Sequence, residues 1–284
     1  MKKYLSLVTF THTIFAMPFA FIGFFLAVTT TNHTFDWRKL VLMVLCMIFA
    51  RNSAMAFNRY LDRDIDAQNP RTKQRDIPSG RISAPAALTF TLINCGLFVA
   101  ATFFINPLCF YLSPIALFIV MGYSATKRFT ALCHLVLGLG LSLAPIGAYL
   151  VVTGAFALTP IFFSLSVLCW VSGFDIIYAL QDEDFDRSQN LHSIPAYLGK
   201  VNALRLSTFL HVLSAVFIMM PVFFTHVGIL YYVGIAFFCA MLIYQHLLVK
   251  PNDLSRVNFA FMTTNGIASV VFAVLFLLDR IWTH

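Results

Sequence analysis

Residues 39–66 read KLVLMVLCMIFARNSAMAFNRYLDRDID. The first twelve are oily enough to enter a bilayer, and the last nine hold Asn58, Asp62 and Asp66 at intervals of four. On a helix, residues four apart share a face, and like charges at that spacing repel. A carboxylate row at the end of a membrane-length helix therefore calls for a compensating cation. That helix is one of many. Phe occurs 31 times, and only 11% of the 284 residues are charged, against about 25% in an ordinary soluble domain. The mean hydropathy is +0.82. A helical span needs about 20 apolar residues. Nine stretches qualify, near 13–31, 40–57, 85–105, 107–122, 131–153, 160–181, 203–224, 229–249 and 257–279. The expected fold class is an all-α polytopic membrane protein, in one integral membrane domain over 1–284.

The first stretch follows Met1-Lys2-Lys3, but no small-x-small cleavage site comes after it, so it is read as an uncleaved first helix. With the N-terminus in the cytoplasm, fifteen of the nineteen Lys and Arg residues fall on the inside. The positive-inside rule thus predicts a cytoplasmic N-terminus. The net charge of +7 follows from that topology and does not call for nucleic acid as a partner. The six cysteines all sit in apolar runs without a C-x-x-C pair, so they read as small hydrophobes.

Nine of the twelve acids cluster in two short regions: Asp62, Asp64, Asp66 and Asp76, then Asp175, Asp182, Glu183, Asp184 and Asp186. Both regions fall at the same end of an even-numbered span. Asp182 and Asp186 share a helical face, with Asp175 two turns below. Hard divalent cations such as Mg²⁺ take carboxylate oxygens, keep waters and share phosphate oxygens with a substrate. Two facing carboxylate rows therefore suit a diphosphate bridged by Mg²⁺. Arg71 and Arg75 in the 58–84 connection, with Lys127 and Arg128 in the next loop at that end, are the matching phosphate clamps. Arg51 lies inside a span, where an ionisable side chain marks a functional candidate.

These residues resemble the UbiA-type intramembrane prenyltransferases. N-x-x-x-D-x-x-x-D after a span, followed by R-T-x-x-R-x-x-P-S-G, carries the likeness. HTIFAMPFA (12–20), Tyr123 to Lys127, GFDIIYALQDEDFD and SIPAYLG (193–199) extend it along the whole chain. The resemblance implies nine helices around a central cavity, with Asn58, Asp62, Asp66, Asp182 and Asp186 binding Mg²⁺ and a polyprenyl diphosphate at its cytoplasmic mouth. It further implies transfer of the prenyl group to an aromatic acid in quinone synthesis, within the inner membrane and lipid bilayer. Arg51, Arg71, Arg75, Tyr123 and Lys127 are the expected diphosphate residues. Arg128, Asp175, His12 and Asn265 are the expected acceptor residues, and Asp175 also joins the four motif aspartates as a catalytic candidate.

Two positions depart from the family pattern. Arg59 follows the motif Asn where Asp is common, and His192 stands where Lys commonly precedes the Ser. Both leave the metal ligands intact and leave the acceptor open between a 4-hydroxybenzoate and a hydroxynaphthoate type. A protoheme farnesyltransferase shares the first motif. A cation or proton transporter would need ionisable groups at the bilayer midplane, but only Arg51 and Asp175 sit deep. The D-G-x-x-A-R segment of a CDP-alcohol phosphotransferase is absent. Asn258 and Asn265, seven apart, are expected to share one face of the last span.

Overall fold

Four helix starts are written in the sequence by the same device. Asp36, Ser83, Asn106 and Ser193 each turn a side-chain oxygen to an orphan N–H of the first helical turn, and Pro85, Pro107 and Pro195 fill first-turn positions, where a missing N–H costs nothing. In a computed structural model that describes residues 13–283, with side chains for 15–283, these caps and the apolar runs produce a helical bundle. The long helices are α1 Thr13–Thr30 and α2 Trp37–Leu61, with a short α3 Arg63–Gln68. Then come α4 Ala84–Phe103, α5 Pro107–Thr126, α6 Cys133–Thr153 and α7 Leu158–Ala179. After a 3₁₀ turn at Leu180–Asp182 come α8 Glu183–Ser188, α9 Ile194–Met219 and α10 Ile229–Leu248. A short α11 Val257–Phe259 and a π-helical segment Ala260–Thr264 lead into α12 Asn265–Thr283.

Among the described residues, 8 helices are long and apolar enough to cross a membrane, and the apolar stretch of α1 from Phe15 to Thr30 is shorter. The protein is an integral membrane protein. Lipid supplies no hydrophobic drive between helices, so close packing and small residues do that work. Gly23 of α1 lies so close to α6 that a Cβ there would meet the Pro145 carbonyl oxygen at 2.0 Å. The core forms where α1, α7, α10 and α12 bring aromatic rings together. The Phe19 ring centre lies 5.5 Å from that of Trp170, which lies 5.6 Å from that of Phe238.

Three departures from the expected spans have local causes. The helix expected from 203 starts at Ile194, because Ser193 caps an extra turn. Gly199, at φ 74°, then breaks that turn from the span proper, a left-handed geometry that suits glycine. Helix α2 runs to Leu61, past the expected end at 57, so the first motif begins on the helix itself. The π segment adds a residue to one turn and rotates the helix beyond it. Asn258 is exposed while Asn265 is buried, so the two do not share a face.

Candidate active site

Both aspartate motifs sit on helix breaks. Asp62 ends α2 and starts α3; Asp182 ends the 3₁₀ turn and starts α8. The break costs little register at the first motif: Asp62 N–H still donates to Asn58 O at 2.9 Å, and Asp66 N–H to Asp62 O at 2.7 Å. Each break also places acids in the first turn of a new helix, where backbone N–H groups favour negative charge. That relieves part of the repulsion the sequence spacing implied.

The remainder is relieved by four cations, one for each motif aspartate. Arg75 Nη1 reaches both Asp66 oxygens, at 2.7 and 2.9 Å. Arg71 crosses to the other motif, donating from Nε to Asp182 Oδ1 at 3.0 Å and from Nη2 to Oδ2. Asn69 Nδ2 adds a bond to Asp182 Oδ1 at 3.3 Å. Arg128 Nη2 donates to Asp62 Oδ1 at 2.9 Å and to the Leu61 carbonyl at 2.8 Å. Lys127 Nζ stands 2.6 Å from Asp186 Oδ1. That contact is ionic: neither buried Asp186 oxygen takes a hydrogen bond of ordinary geometry. The loop after α3 thus holds one aspartate of each motif, and so does the loop after α5.

Burial raises the Asp62 carboxyl above its ordinary range; Arg128 opposes this, and Asp66 adds to it. At Arg71, burial lowers the guanidinium, but its hydrogen bond to Asp182 and the Asp182 charge prevail and hold it above its ordinary range. Arg71 Nη1 also donates to Tyr178 Oη at 2.7 Å, with its guanidinium 5.1 Å from the Tyr178 ring centre.

Below the motifs lies a cavity of about 710 Å³, lined by Asp62, Asp66 and Asp182, with Asn58, Arg51, Tyr123, Asp175 and the four cations. Its walls continue down α2, α4, α5, α6 and α7 through apolar side chains. Ile115 and Phe156 line it and are both more than half exposed, so the chamber is not sealed. Asp175 hangs into it from α7. His134 Nε2 accepts from the Ile194 N–H at 3.3 Å, so Nδ1 carries the proton and donates to Asp175 Oδ2 at 2.7 Å.

The structure brings Asn58, Asp62, Asp66, Asp182, Asp175, Arg51, Arg71, Arg75, Tyr123, Lys127 and Arg128 to one cavity. Asp186 stands just behind the wall, fully buried against Lys127. Arg128, expected at the acceptor, is held at the first motif. Asn265 is not brought there. It is buried in a network with Trp170 Nε1 at 2.9 Å, Gln245 and the carbonyls of Ala260 and Phe261. The π segment turns it into the bundle. His12 lies outside the described residues. Asp64 and Asp184 point outward, and Glu183 is held by Arg187 at 2.9 Å. Sequence reasoning missed Asn69, Tyr178 and His134. Tyr178 precedes Asp182 by one turn, a spacing that could have found it. Asn69 stands in an Asn-Pro turn, and nothing in the sequence pairs His134 with Asp175.

The donor set fits a magnesium ion. It is all oxygen, and the buried Asp186 carboxylate, ion-paired with Lys127, takes no hydrogen bond. Among the described residues no three acidic, His or Cys side chains converge to hold a metal unaided, which agrees with an ion that completes its shell from substrate and water.

An apolar chamber within a membrane bundle, with a charged mouth of matched carboxylates and cations, fits an intramembrane enzyme for a substrate with an anionic head and an oily tail. The UbiA prenyltransferase family matches residues 16–267, and the chain belongs to it: this is a prenyl-transferring enzyme. The 4-hydroxybenzoate octaprenyltransferase of Alkalilimnicola ehrlichii is 28% identical over 242 residues, 85% of this chain and 82% of that protein. The apo structure of a UbiA homologue from Aeropyrum pernix K1 matches with a TM-score of 0.85 at 31% identity, over 94% of this chain and 98% of that one. A UbiA homologue from Archaeoglobus fulgidus, solved with DMAPP and Mg²⁺, shares the fold at a TM-score of 0.77 and 22% identity, over 98% of this chain and 99% of that one.

Proposed function

We propose that the protein transfers a polyprenyl group from polyprenyl diphosphate to a hydroxy-aryl acid, 4-hydroxybenzoate or a hydroxynaphthoate, in ubiquinone or menaquinone synthesis. The observation that carries this is the mouth itself, where four carboxylates are each held by one cation above an apolar chamber. Asn58, Asp62, Asp66, Asp182 and Asp186 would hold Mg²⁺. When bound, the ion supplies charge neutralisation for the leaving diphosphate. With the carboxylates on the metal, Arg71, Arg75, Lys127 and Arg128 would be available to phosphate oxygens, with Tyr123 and Arg51 below them. This preorganised positive charge favours departure of the diphosphate.

The prenyl C1–O bond breaks and its electron pair leaves on the diphosphate. A ring carbon of the acceptor bonds to C1, and the ring proton is lost to restore aromaticity. Asp175 is held by His134 through one oxygen and faces the cavity with the other, so it serves the acceptor hydroxyl. The apolar walls keep water from the prenyl cation. The positive-inside pattern supports a mouth on the cytoplasmic face of the inner membrane, with the N-terminus on the same side. The test is an assay of the purified enzyme with radiolabelled polyprenyl diphosphate against a panel of aromatic acids, in Mg²⁺ and in EDTA. Lipid-soluble product should require both a hydroxy-aryl acid and Mg²⁺. Equal product in metal-free buffer, or none with any acid, rejects the reading.

A further inference from the structure

Six basic side chains line the cavity: Arg51, Arg59, Arg71, Arg75, Lys127 and Arg128. Four of them each close on one motif aspartate. Arg51 Nη2 lies 3.1 Å from Met55 Sδ, deeper on α2. Arg59 differs from all of these. Among the described residues it makes no hydrogen bond, ion pair or cation–π contact, although it is only partly exposed and faces the cavity. The charged and titratable groups around it are Arg75, Asp66, Tyr123 and Tyr178, and Arg75 and Asp66 already neutralise each other. A cation in this setting is a receptor for an anion that has yet to arrive.

Its depth shows which anion. Arg59 is three residues before Asp62 on α2, Tyr123 is four before Lys127 on α5, and Tyr178 is four before Asp182 on α7. All three are one helical turn, about 5 Å, below the ring of ion pairs. The diphosphate head belongs in that ring, where four cations await it. Asp175, three residues before Tyr178 on α7, lines the same cavity about one turn deeper again, and Tyr123 lies within electrostatic range of both Arg59 and Asp175. A cation and an anion thus flank one aromatic ring position, and a hydroxy-aryl acid carries the complementary ends. We propose that Arg59 binds the carboxylate of the aromatic acceptor and so orients its hydroxyl toward Asp175. This rests on the aromatic-acid reading above. A guanidinium suits the task because its fork matches a carboxylate bidentately.

The experiment is equilibrium binding to the purified full-length protein, with 4-hydroxybenzoate, its neutral amide and inorganic pyrophosphate as separate probes. Arg59→Gln should weaken 4-hydroxybenzoate about ten- to hundredfold, the range of a lost charged hydrogen bond, and leave pyrophosphate within twofold. The amide should bind wild type and variant alike. Arg59→Lys keeps the charge without the fork and should fall between; it decides the matter if Arg59→Gln does not fold. In turnover, the same variants should raise the acceptor KM more than the prenyl-diphosphate KM. Unchanged 4-hydroxybenzoate affinity, or an equal loss for pyrophosphate, overturns the assignment. If wild type itself binds no aromatic acid, the acceptor reading fails instead.

Discussion

Replacing Arg71 with Met removes the cation from Asp182 while keeping an apolar stem of similar length. Removing one partner of a fully buried ion pair costs about 3–5 kcal/mol. Here Asp182 is 10% exposed but Arg71 is 33% exposed, so water screens part of the loss. A cost of about 1–3 kcal/mol remains for the pair with its two hydrogen bonds. The Tyr178 hydrogen bond goes as well. At about 2–4 °C per kcal/mol for a chain near this size, the melting temperature in EDTA should fall by roughly 3–10 °C. Mg²⁺ should then recover part of the loss, because it can stand where the guanidinium stood. At ten times its Kd, binding returns about 1.4 kcal/mol. Wild type should gain less from Mg²⁺, since Arg71 competes for the same carboxylate. Thermal unfolding in detergent, with and without Mg²⁺, reads both effects. An Arg71→Met protein that melts with wild type in EDTA, or that responds to Mg²⁺ no more than wild type does, would refute the idea that the cations hold the mouth in its resting state.

Other expectations rest on the same geometry. Gly23→Ala should leave little folded protein, because its Cβ would meet the Pro145 carbonyl at 2.0 Å; normal yield and melting would mean that α1 does not pack against α6 as described. Gln74 is exposed in the loop that carries Arg71 and Arg75. A Gln74→Cys change in a background without other cysteines should react with an impermeant thiol reagent in inside-out vesicles and not in intact cells; the reverse pattern would invert the assigned topology. Asp62→Ala should abolish turnover while the protein stays in the membrane at normal level, and near-normal transfer would remove Asp62 from the metal site.

Much of the site was legible because it depends on spacing. Asn58, Asp62 and Asp66 recur every four residues, and Asp182 and Asp186 repeat that interval. The interval survives a helix break so long as the backbone bonds from 62 to 58 and from 66 to 62 persist. For the same reason the breaks were not legible: a continuous helix and a hinge with intact bonds have one sequence period. The pairing of cations with aspartates was not legible either. Arg71 reaches Asp182 across 111 positions of chain, and only the fold decides which motif a loop arginine meets. The Asn265 expectation failed through the π segment, since counting by sevens assumes an unbroken α-helix and one added residue turns the face away. Arg59 stood out in the sequence as a departure from a pattern, but only the ion pairs around it give it a task.

The most direct test of the account compares wild type and Asp182→Ala, purified and returned to liposomes with radiolabelled polyprenyl diphosphate, 4-hydroxybenzoate and Mg²⁺. The account predicts a lipid-soluble product from wild type that needs both the acid and the metal. It predicts none from Asp182→Ala, although that variant should insert normally. Product from Asp182→Ala at the wild-type rate would contradict the claim that paired carboxylates at the mouth of this cavity drive prenyl transfer.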